Sequence, residues 1–281
     1  MSSEDNNVRA IVAFDHRNYF DRLLTNSAIP AAEHYSTIVH IKDMIFTAAS
    51  QVAAHTDPAF QLALLVDEKY GSNVALNAVL KDLLVALSVE RNEAPEFTLE
   101  YGDNWKMHAH ALNPDYIKVL IRWSIDDTAN IPTTTLLQKV FKWASLTNRG
   151  LLLEIIPENN NTEILISAAR QILALGITPK FWKIPLPQSQ AEAKNIVEAA
   201  QGNCSTLPNI FILGGARSGD EARRQIRPFL NIPGISGWAV GRGMWGAAAE
   251  KYISGSISAS ECTEMIASEL KEFLKILQPT M

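Results

Sequence analysis

The chain has 281 residues, of which 47% are hydrophobic and 20% charged, and its net charge is −5. This acidic balance, with no run of Lys or Arg, argues against nucleic acid and anionic membrane surfaces as partners. The two cysteines predict no disulfide framework, and no apolar stretch reaches the roughly 18 residues of a membrane span. Met1–Asn7, which we expect to be disordered, is polar and unlike a secretory signal. These features predict a cytoplasmic protein.

Short runs rich in Val, Ile and Leu recur along the chain, and each has the length of a strand rather than a helix. Several are apolar on both faces, as parallel strands covered on each side must be. We predict strands at Ala10–Phe14, Leu62–Val66, Leu84–Ser88, Ile117–Arg122, Leu151–Ile155, Phe181–Ile184, Asn209–Leu213 and Gly237–Val240.

Segments with helical periodicity lie between these runs. They are Ala31–Ala53, Thr133–Thr147, Thr162–Leu175, Ser189–Ala200, Gly219–Leu230 and a C-terminal helix within 258–281, over Ser258–Leu277. The alternation selects an α/β fold with a parallel sheet. Eight strand–helix repeats over this length predict a single (β/α)8 TIM barrel spanning 1–281, with an open doubly wound sheet as the alternative.

The stretch between the third and fourth predicted strands contains a further extended segment, Glu96–Tyr101. It could be a hairpin inserted on the catalytic face, or it could itself be the third strand of the barrel.

In a barrel of this kind, chemistry takes place where the strands end and the loops to the helices begin. Nearly every predicted strand carries an ionisable group or a glycine at that end. The ionisable candidates are Asp15, Arg17, Glu68, Glu90, Lys118, Arg122, Glu154 and Lys183.

Lys183 lies in the apolar segment Phe181–Ile184, which predicts that it points into the barrel. Burial and neighbouring cations lower the pKa of a lysine, and the neutral amine can attack a ketone. Lys118 could supply the second positive charge. The alternative is a lysine on the outer surface that extends past its aromatic neighbours. Glu154, a lone acid in an apolar strand, is either a general acid/base or the partner of Lys118 or Arg122 in a structural ion pair.

Two glycine-bearing loops predict a phosphate site. Gly214 and Gly215 follow the seventh strand, and Gly241 and Arg242 follow the eighth. Barrels often bind phosphate with these two loops and a helix N-terminus. Arg242 or Arg217 could add a charge-assisted hydrogen bond.

Three of the six histidines are candidate metal ligands. His108 and His110 would face one way on a strand, and His16 lies at a strand end. No ligand set with familiar spacing emerges, so we predict neither a metal nor a cofactor.

With these features in view, the chain resembles class I aldolases of the tagatose-1,6-bisphosphate aldolase type. The resemblance is closer to the barrel domain of myo-inositol breakdown, 5-dehydro-2-deoxy-6-phosphogluconate aldolase, and covers about residues 8–255. The segments that carry it are Ala13–Arg17, Leu65–Gly71, Ser88–Glu90, Phe97–Asp103, Tyr116–Trp123, Trp182–Ile184 and Gly237–Arg242.

The resemblance implies a retro-aldol cleavage in which Lys183 forms an imine with the substrate ketone. It implies that Glu154 is the proton shuttle and Lys118 its charged neighbour, with Asp15 and Arg17 contacting substrate hydroxyls or a carboxylate. Glu68, Glu100 and Arg122 complete the predicted substrate-binding set. By the same resemblance Gly214, Gly215, Gly241 and Arg242 hold the phosphate.

The implied substrate is a phosphorylated keto sugar or keto sugar acid. A homo-oligomer is compatible with these features and is a further expectation. The inositol enzymes tend to have Glu-Lys-Ser-Gly where this chain has Glu90–Glu93. They also tend to have an acidic residue in the loop after the seventh strand, where this chain has Gly214–Arg217. Two alternatives stay open. One is an isomerase or epimerase that uses Glu154 and Asp15, and the other is a phosphosugar-binding barrel that acts as a non-catalytic sensor.

Overall fold

The computed structural model describes residues 8–57, 60–91, 93–215 and 218–278. Within them eight parallel strands close into a barrel in chain order. The strands are β1 Val8–Ala13, β2 Gln61–Asp67, β3 Leu84–Ser88, β4 Tyr116–Trp123, β5 Gly150–Pro157, β6 Phe181–Ile184, β7 Ile210–Leu213 and β8 Ile235–Val240. Because β8 pairs with β1, the (β/α)8 barrel is confirmed and the open-sheet alternative is wrong. Residues 1–7, predicted to be disordered, and Arg217 lie outside the described residues.

Helices follow the strands and cover the outside of the barrel. They are α1 Arg17–Thr25, α2 His34–Ala53, α3 Glu68–Ala78, α4 Trp105–Leu112, α5 Ile131–Leu146, α6 Thr162–Ala174, α7 Gln190–Gln201, α8 Gly219–Ile226, α9 Arg242–Ile253 and α10 Ala259–Lys275. Helix α10 begins at a capping box in which Ser258 and Glu261 bond each other's backbone N–H. Among these described helices, none combines the length and apolarity that crossing a bilayer would need.

Helices α1, α3, α4 and α9 were not predicted from the sequence. Three of them begin at the strand-end motifs, since α1 starts at Arg17, α3 at Glu68 and α9 at Arg242. The first turns of these helices are rich in charged residues or contain glycine, so the helical pattern of apolar residues is weak where each helix begins. The candidate site residues Arg17, Glu68 and Arg242 therefore lie in first helical turns rather than in loops.

The inside of the barrel is filled at the N-terminal ends of the strands by apolar side chains. The Tyr116 and Phe181 rings lie 4.7 Å apart, and Phe181 and Phe211 lie 5.1 Å apart. Side chains two residues apart on a strand point to the same face. Lys118 and Lys183 therefore also point inward, one layer closer to the C-terminal ends of the strands.

The extended segment after β3 is not a barrel strand. Leu99 forms an antiparallel bridge with Glu90, and the amide of Arg91 donates to the Thr98 carbonyl. The segment thus folds back over the C-terminal end of β3, where it can line the site. The interpretation of His108 and His110 as strand residues is wrong, because both lie on α4.

Candidate active site

Five buried ionisable side chains meet at the C-terminal end of the barrel interior, and we call them the mouth cluster: Asp15, Glu90, Lys118, Glu154 and Lys183. Lys118 Nζ lies 2.9 Å from Asp15 Oδ2, 2.6 Å from Glu90 Oε1 and 3.0 Å from Glu154 Oε2. Lys183 Nζ lies 2.9 Å from the same Glu154 oxygen. The side chains form one continuous chain of polar contacts from β3 to β6.

Strand register explains why these side chains meet. Glu154 on β5 pairs with Lys183 on β6, and Ser88 on β3 pairs with Lys118 on β4. Neighbouring residues of parallel strands in register point the same way. Asp15 and Glu90 follow the ends of β1 and β3, so they reach the same level from the rim.

Electrostatics favours the ionised forms of Lys118, Asp15 and Glu154. Burial alone would lower the pKa of Lys118, but Asp15, Glu154 and Glu90 hold it well above its usual value. Burial raises the pKa of Asp15, yet Lys118, Lys183 and His16 outweigh it and bring the pKa well below its usual range. Burial also raises the pKa of Glu154, but Lys118 and Lys183 reverse this, so its pKa is lowered.

Glu90 and His16 behave differently from their neighbours. Burial raises the pKa of Glu90, and Asp15 adds to that rise while Lys118 and Arg17 oppose it. Burial lowers the pKa of the His16 imidazole to about 4, so this ring is neutral near neutral pH. The site therefore contains ionised carboxylates beside a neutral imidazole and a carboxyl that holds its proton more tightly than usual.

Arg17 lies next to the mouth cluster and is buried, with 4% of its surface exposed. Its Nη2 donates to the Glu90 carbonyl at 2.7 Å and to Ser88 Oγ at 3.3 Å. Its Nη1 lies 3.3 Å from Glu100 Oε2. The predicted substrate-binding residues Arg17 and Glu100 are thus paired with each other, and Ser88 and Glu90 fix the guanidinium.

Glu68 and Arg122 lie away from the mouth cluster. Glu68 Oε1 accepts from His108 Nδ1 at 2.7 Å, and the Tyr101 ring stacks on His108 with centroids 3.7 Å apart. Arg122 is exposed near the C-terminal end of β4. Their roles in substrate binding stay predictions.

The glycines after β7 and β8 lie where side chains would not fit. A Cβ at Gly214 would be 2.8 Å from Val240 Cγ2, and one at Gly241 would be 2.7 Å from the Ala13 carbonyl oxygen. Gly215 has no neighbour within 4 Å of such a Cβ, so its backbone is open. Gly241 is also the N-cap of α9, whose first N–H groups have no intrahelical acceptor. An anion could bind here, and Arg242 is exposed beside it over the Tyr19 ring.

Buried polar atoms without a hydrogen-bond partner concentrate at this end of the barrel. Among the described residues five such side-chain atoms occur, and three are His16 Nδ1, Arg17 Nε and Glu90 Oε2. Leaving a buried polar atom unpaired costs about 1–3 kcal/mol. Three such atoms at one site are positions that a bound molecule or ordered water can pair with. Within residues 8–57, 60–91, 93–215 and 218–278, no group of three or more His, Cys, Asp or Glu is arranged to hold a metal.

A second buried ion pair was missed by the sequence analysis. Lys42 on α2 and Asp67 at the end of β2 are both fully buried and contact each other. A signal was present, because Lys42 falls on the stripe of buried apolar residues that includes Ile38, Ile41 and Ile45. A lysine on such a stripe requires a buried acid as partner.

The barrel is similar to solved structures. An archaeal fructose-1,6-bisphosphate aldolase, with its catalytic Lys covalently bound to the carbinolamine intermediate of the substrate, aligns with a TM-score of 0.61 and 16% identity, over 93% of this chain and 95% of that chain. Cgl0159 from Corynebacterium glutamicum aligns with a TM-score of 0.60 and 18% identity, over 96% and 87%. A fructose-bisphosphate aldolase from Slackia heliotrinireducens aligns with a TM-score of 0.54 and 14% identity, over 92% and 85%. At these identities the likeness establishes the fold.

No curated protein sequence matches this chain. One family model matches residues 2–280, and its description is "Uncharacterized protein conserved in bacteria (DUF2090)". Because the match takes in nearly the whole chain, this protein belongs to the DUF2090 family.

Proposed function

We propose that the protein is a Schiff-base (class I) aldolase that cleaves a phosphorylated keto sugar or keto sugar acid. The observation that carries the proposal is Lys183, buried on β6 with Nζ 2.9 Å from the ionised Glu154. A buried lysine in contact with a carboxylate that accepts protons has the two groups that imine formation requires. The fold shared with aldolases supports the proposal as an analogy.

In the proposed reaction, Lys183 Nζ adds to the substrate ketone and the ketone oxygen leaves as water, which gives an iminium ion. The Glu154 carboxylate then takes the proton from the hydroxyl β to the iminium carbon. The carbon–carbon bond breaks, its electron pair moves to the iminium nitrogen, and an aldehyde is released. Protonation of the enamine carbon and hydrolysis return the free lysine and dihydroxyacetone phosphate. Lys118 keeps Glu154 ionised during the first steps.

The substrate would lie across the mouth of the barrel. Gly214, Gly215, Gly241 and the exposed Arg242 would hold its phosphate. Asp15 and the side of the barrel opposite the phosphate site would face the half of the substrate that leaves as the aldehyde. The most specific form of the proposal is cleavage of 5-dehydro-2-deoxy-6-phosphogluconate to dihydroxyacetone phosphate and malonate semialdehyde, which follows the sequence resemblance.

The test is reduction with borohydride in the presence of dihydroxyacetone phosphate, followed by peptide mass spectrometry. We expect a stable secondary amine on Lys183 and none on Lys118, which stays charged. An adduct on another lysine, or no adduct on folded protein, would contradict the proposal. Lys183→Arg separates this function from an isomerase, because arginine keeps the charge and forms no imine. Cleavage should be lost in Lys183→Arg, whereas an isomerase that needs only the charge would retain turnover.

A further inference from the structure

Glu90 has no role in the reaction outlined above, although it is buried in the site with 6% of its surface exposed. Its Oε1 accepts from Lys118 Nζ at 2.6 Å. Its Oε2 is buried and has no partner among the described residues. An acidic oxygen in that position either carries an unbalanced charge or carries a proton that it can donate to a ligand.

The charges around Lys118 indicate which of these holds. Asp15, Glu90 and Glu154 all contact this one ammonium group. Carboxylates that share a site cannot all ionise freely, and the one with the least compensation keeps its proton. Asp15 and Glu154 are also stabilised as anions by Lys183.

Glu90 lacks this second compensation. Its other nearby cation is Arg17, which gives Nη2 to the Glu90 main-chain carbonyl and to Ser88, and Nη1 to Glu100. The Glu90 carboxyl therefore receives one direct ion pair, from Lys118, while Asp15 and Glu154 crowd the same ammonium group. Its raised pKa has the same direction, with burial as the largest cause.

We propose that Glu90 is a substrate-specificity residue that binds as the neutral carboxylic acid and, with Arg17, recognises a carboxylate on the half of the substrate that leaves as the aldehyde. The Glu90 Oε2–H and the buried Arg17 Nε–H are then both donors without an acceptor among the described residues. A neutral donor beside a cationic one suits a single carboxylate. The proposal rests on the proposed function.

The position of Glu90 in the barrel supports this assignment. It follows β3, and the glycines of the proposed phosphate site follow β7 and β8. In the closed order of eight strands, β3 lies across the barrel from β7. A substrate held by its phosphate at β7 and β8, and by its ketone at Lys183 on β6, would extend its other end towards β3 and Arg17.

The kinetic test uses aldol synthesis from dihydroxyacetone phosphate with either malonate semialdehyde or propanal, which lacks the carboxylate. For malonate semialdehyde we expect Glu90→Leu to lose about 30-fold in kcat/KM through a higher KM, as for the loss of a donor to a charged group. For propanal the same variant should lose less than about threefold. Glu90→Gln, whose amide donates and accepts in the same directions, should lose about fivefold or less with malonate semialdehyde.

The matched control is Glu93→Gln, in the same loop but bonded to Arg22 and Asn18 on the exposed surface. This variant should leave kcat/KM unchanged with both aldehydes. If Glu90→Gln loses as much as Glu90→Leu, the neutral acid is not the working form and the proposal is wrong. If both variants lose kcat equally with the two aldehydes, Glu90 does not recognise the carboxylate and the proposal is also wrong.

The pH dependence gives a second test. The charged groups that face Glu90 are Lys118 on β4, Asp15 after β1 and Arg17 on α1, with Glu154 on the far side of Lys118. Because the neutral form donates, activity with malonate semialdehyde should fall as pH rises through the raised pKa of Glu90. Glu90→Gln should remove this alkaline limb. An alkaline limb that is the same in the wild type and in Glu90→Gln would overturn the proposal.

Infrared spectroscopy separates this proposal from the proposed function. The spectrum of the ligand-free protein at neutral pH, minus that of Glu90→Gln, should contain the carbonyl band of a protonated carboxyl group that shifts on labelling glutamate with ¹³C. Absence of that band would overturn the proposal. Failure of the borohydride experiment would refute the aldolase function while leaving the band, and so the protonation of Glu90, in place.

Discussion

The molecule buries lysines with carboxylates in two places, and the two differ in how completely the charges are matched. In the Lys42–Asp67 pair, one Asp67 oxygen contacts Lys42 and the other accepts the Tyr70 amide at 3.0 Å. The Phe20 and Tyr70 rings lie 5.6 Å from the ammonium group. No polar atom of this pair is left without a partner. The pair closes the packing between α2, α3 and the barrel.

The mouth cluster has carboxylates in excess and unpaired atoms around it, at Glu90, Arg17 and His16. The mouth cluster lies where the strands end, and the Lys42–Asp67 pair lies between helix α2 and the end of β2. The comparison teaches that a buried lysine–carboxylate contact does not by itself mark a catalytic site. A binding site is distinguished by hydrogen-bond donors and acceptors that lack a partner within the protein, because a bound ligand pairs with them.

The largest expected effect separates the two lysines by activity. Lys183→Met should lower kcat/KM for aldol cleavage by at least about 10⁴-fold, because no other group can form the imine. Its free energy of unfolding should change by less than about 1 kcal/mol, since Glu154 keeps Lys118 at 3.0 Å. Steady-state kinetics and urea unfolding measure the two effects. A variant that loses stability but keeps turnover would place Lys183 with Lys42 as a structural residue.

The next effect is on stability. Lys42→Met leaves the Asp67 carboxylate buried without its counter-ion, which should lower the free energy of unfolding by about 3–5 kcal/mol. The kcat of the folded fraction should stay within about threefold of the wild-type value. Lys139→Met, at an exposed lysine on α5, is the control and should change stability by less than about 0.5 kcal/mol. Partial recovery in Lys42→Met with Asp67→Asn would show that the unpaired charge causes the loss.

The smallest effect concerns the pH dependence of stability at the mouth. Burial lowers the pKa of His16 from 6.5 in the unfolded chain to about 4, so the folded state binds fewer protons between these values. The stability that this contributes is complete above about pH 6.5 and is lost as the pH falls to about 4. His16→Gln should remove part of this loss, on the order of 1 kcal/mol, in thermal unfolding followed across that range. His110→Gln, at an exposed position on α4, should leave the slope as in the wild type.

Much of the fold could be predicted because hydrophobic patterns report burial directly. All eight strands lie within a few residues of their predicted bounds, since each is a continuous apolar run. Helices α1, α3 and α9 were missed because their first turns carry charged or glycine residues, which weaken the helical pattern of apolar residues. Lys183 and Glu154 stood out as single charges in apolar strands, and Lys118 as one of two in its strand, so they could be named before their geometry was known.

The partners of these residues could not be named in the same way. Ser88 ends β3 and Glu90 follows it, and polar residues are common at such positions. Their contacts with Arg17 and Lys118 form only when the barrel closes. The phosphate-binding role of Gly241 stays a prediction. The structure gives a steric reason for a glycine at this position, which is the close approach of Ala13 at the end of β1 and of His16 after it. Such contacts join residues far apart in the chain.

The sequence by itself determined the alternation of strands and helices, the approximate bounds of the strands and the lysines that interrupt them, because the apolar pattern along a strand is a local property. Tertiary structure decided that β8 pairs with β1 to close the barrel, with Lys118 and Lys183 buried. Tertiary structure alone decided that one ammonium group would be shared by Asp15, Glu90 and Glu154. It also decided that Lys42 would be sealed against Asp67, away from the mouth. Protonation follows from distances of a few ångströms between charges in a buried site, and only the closed barrel fixes those distances.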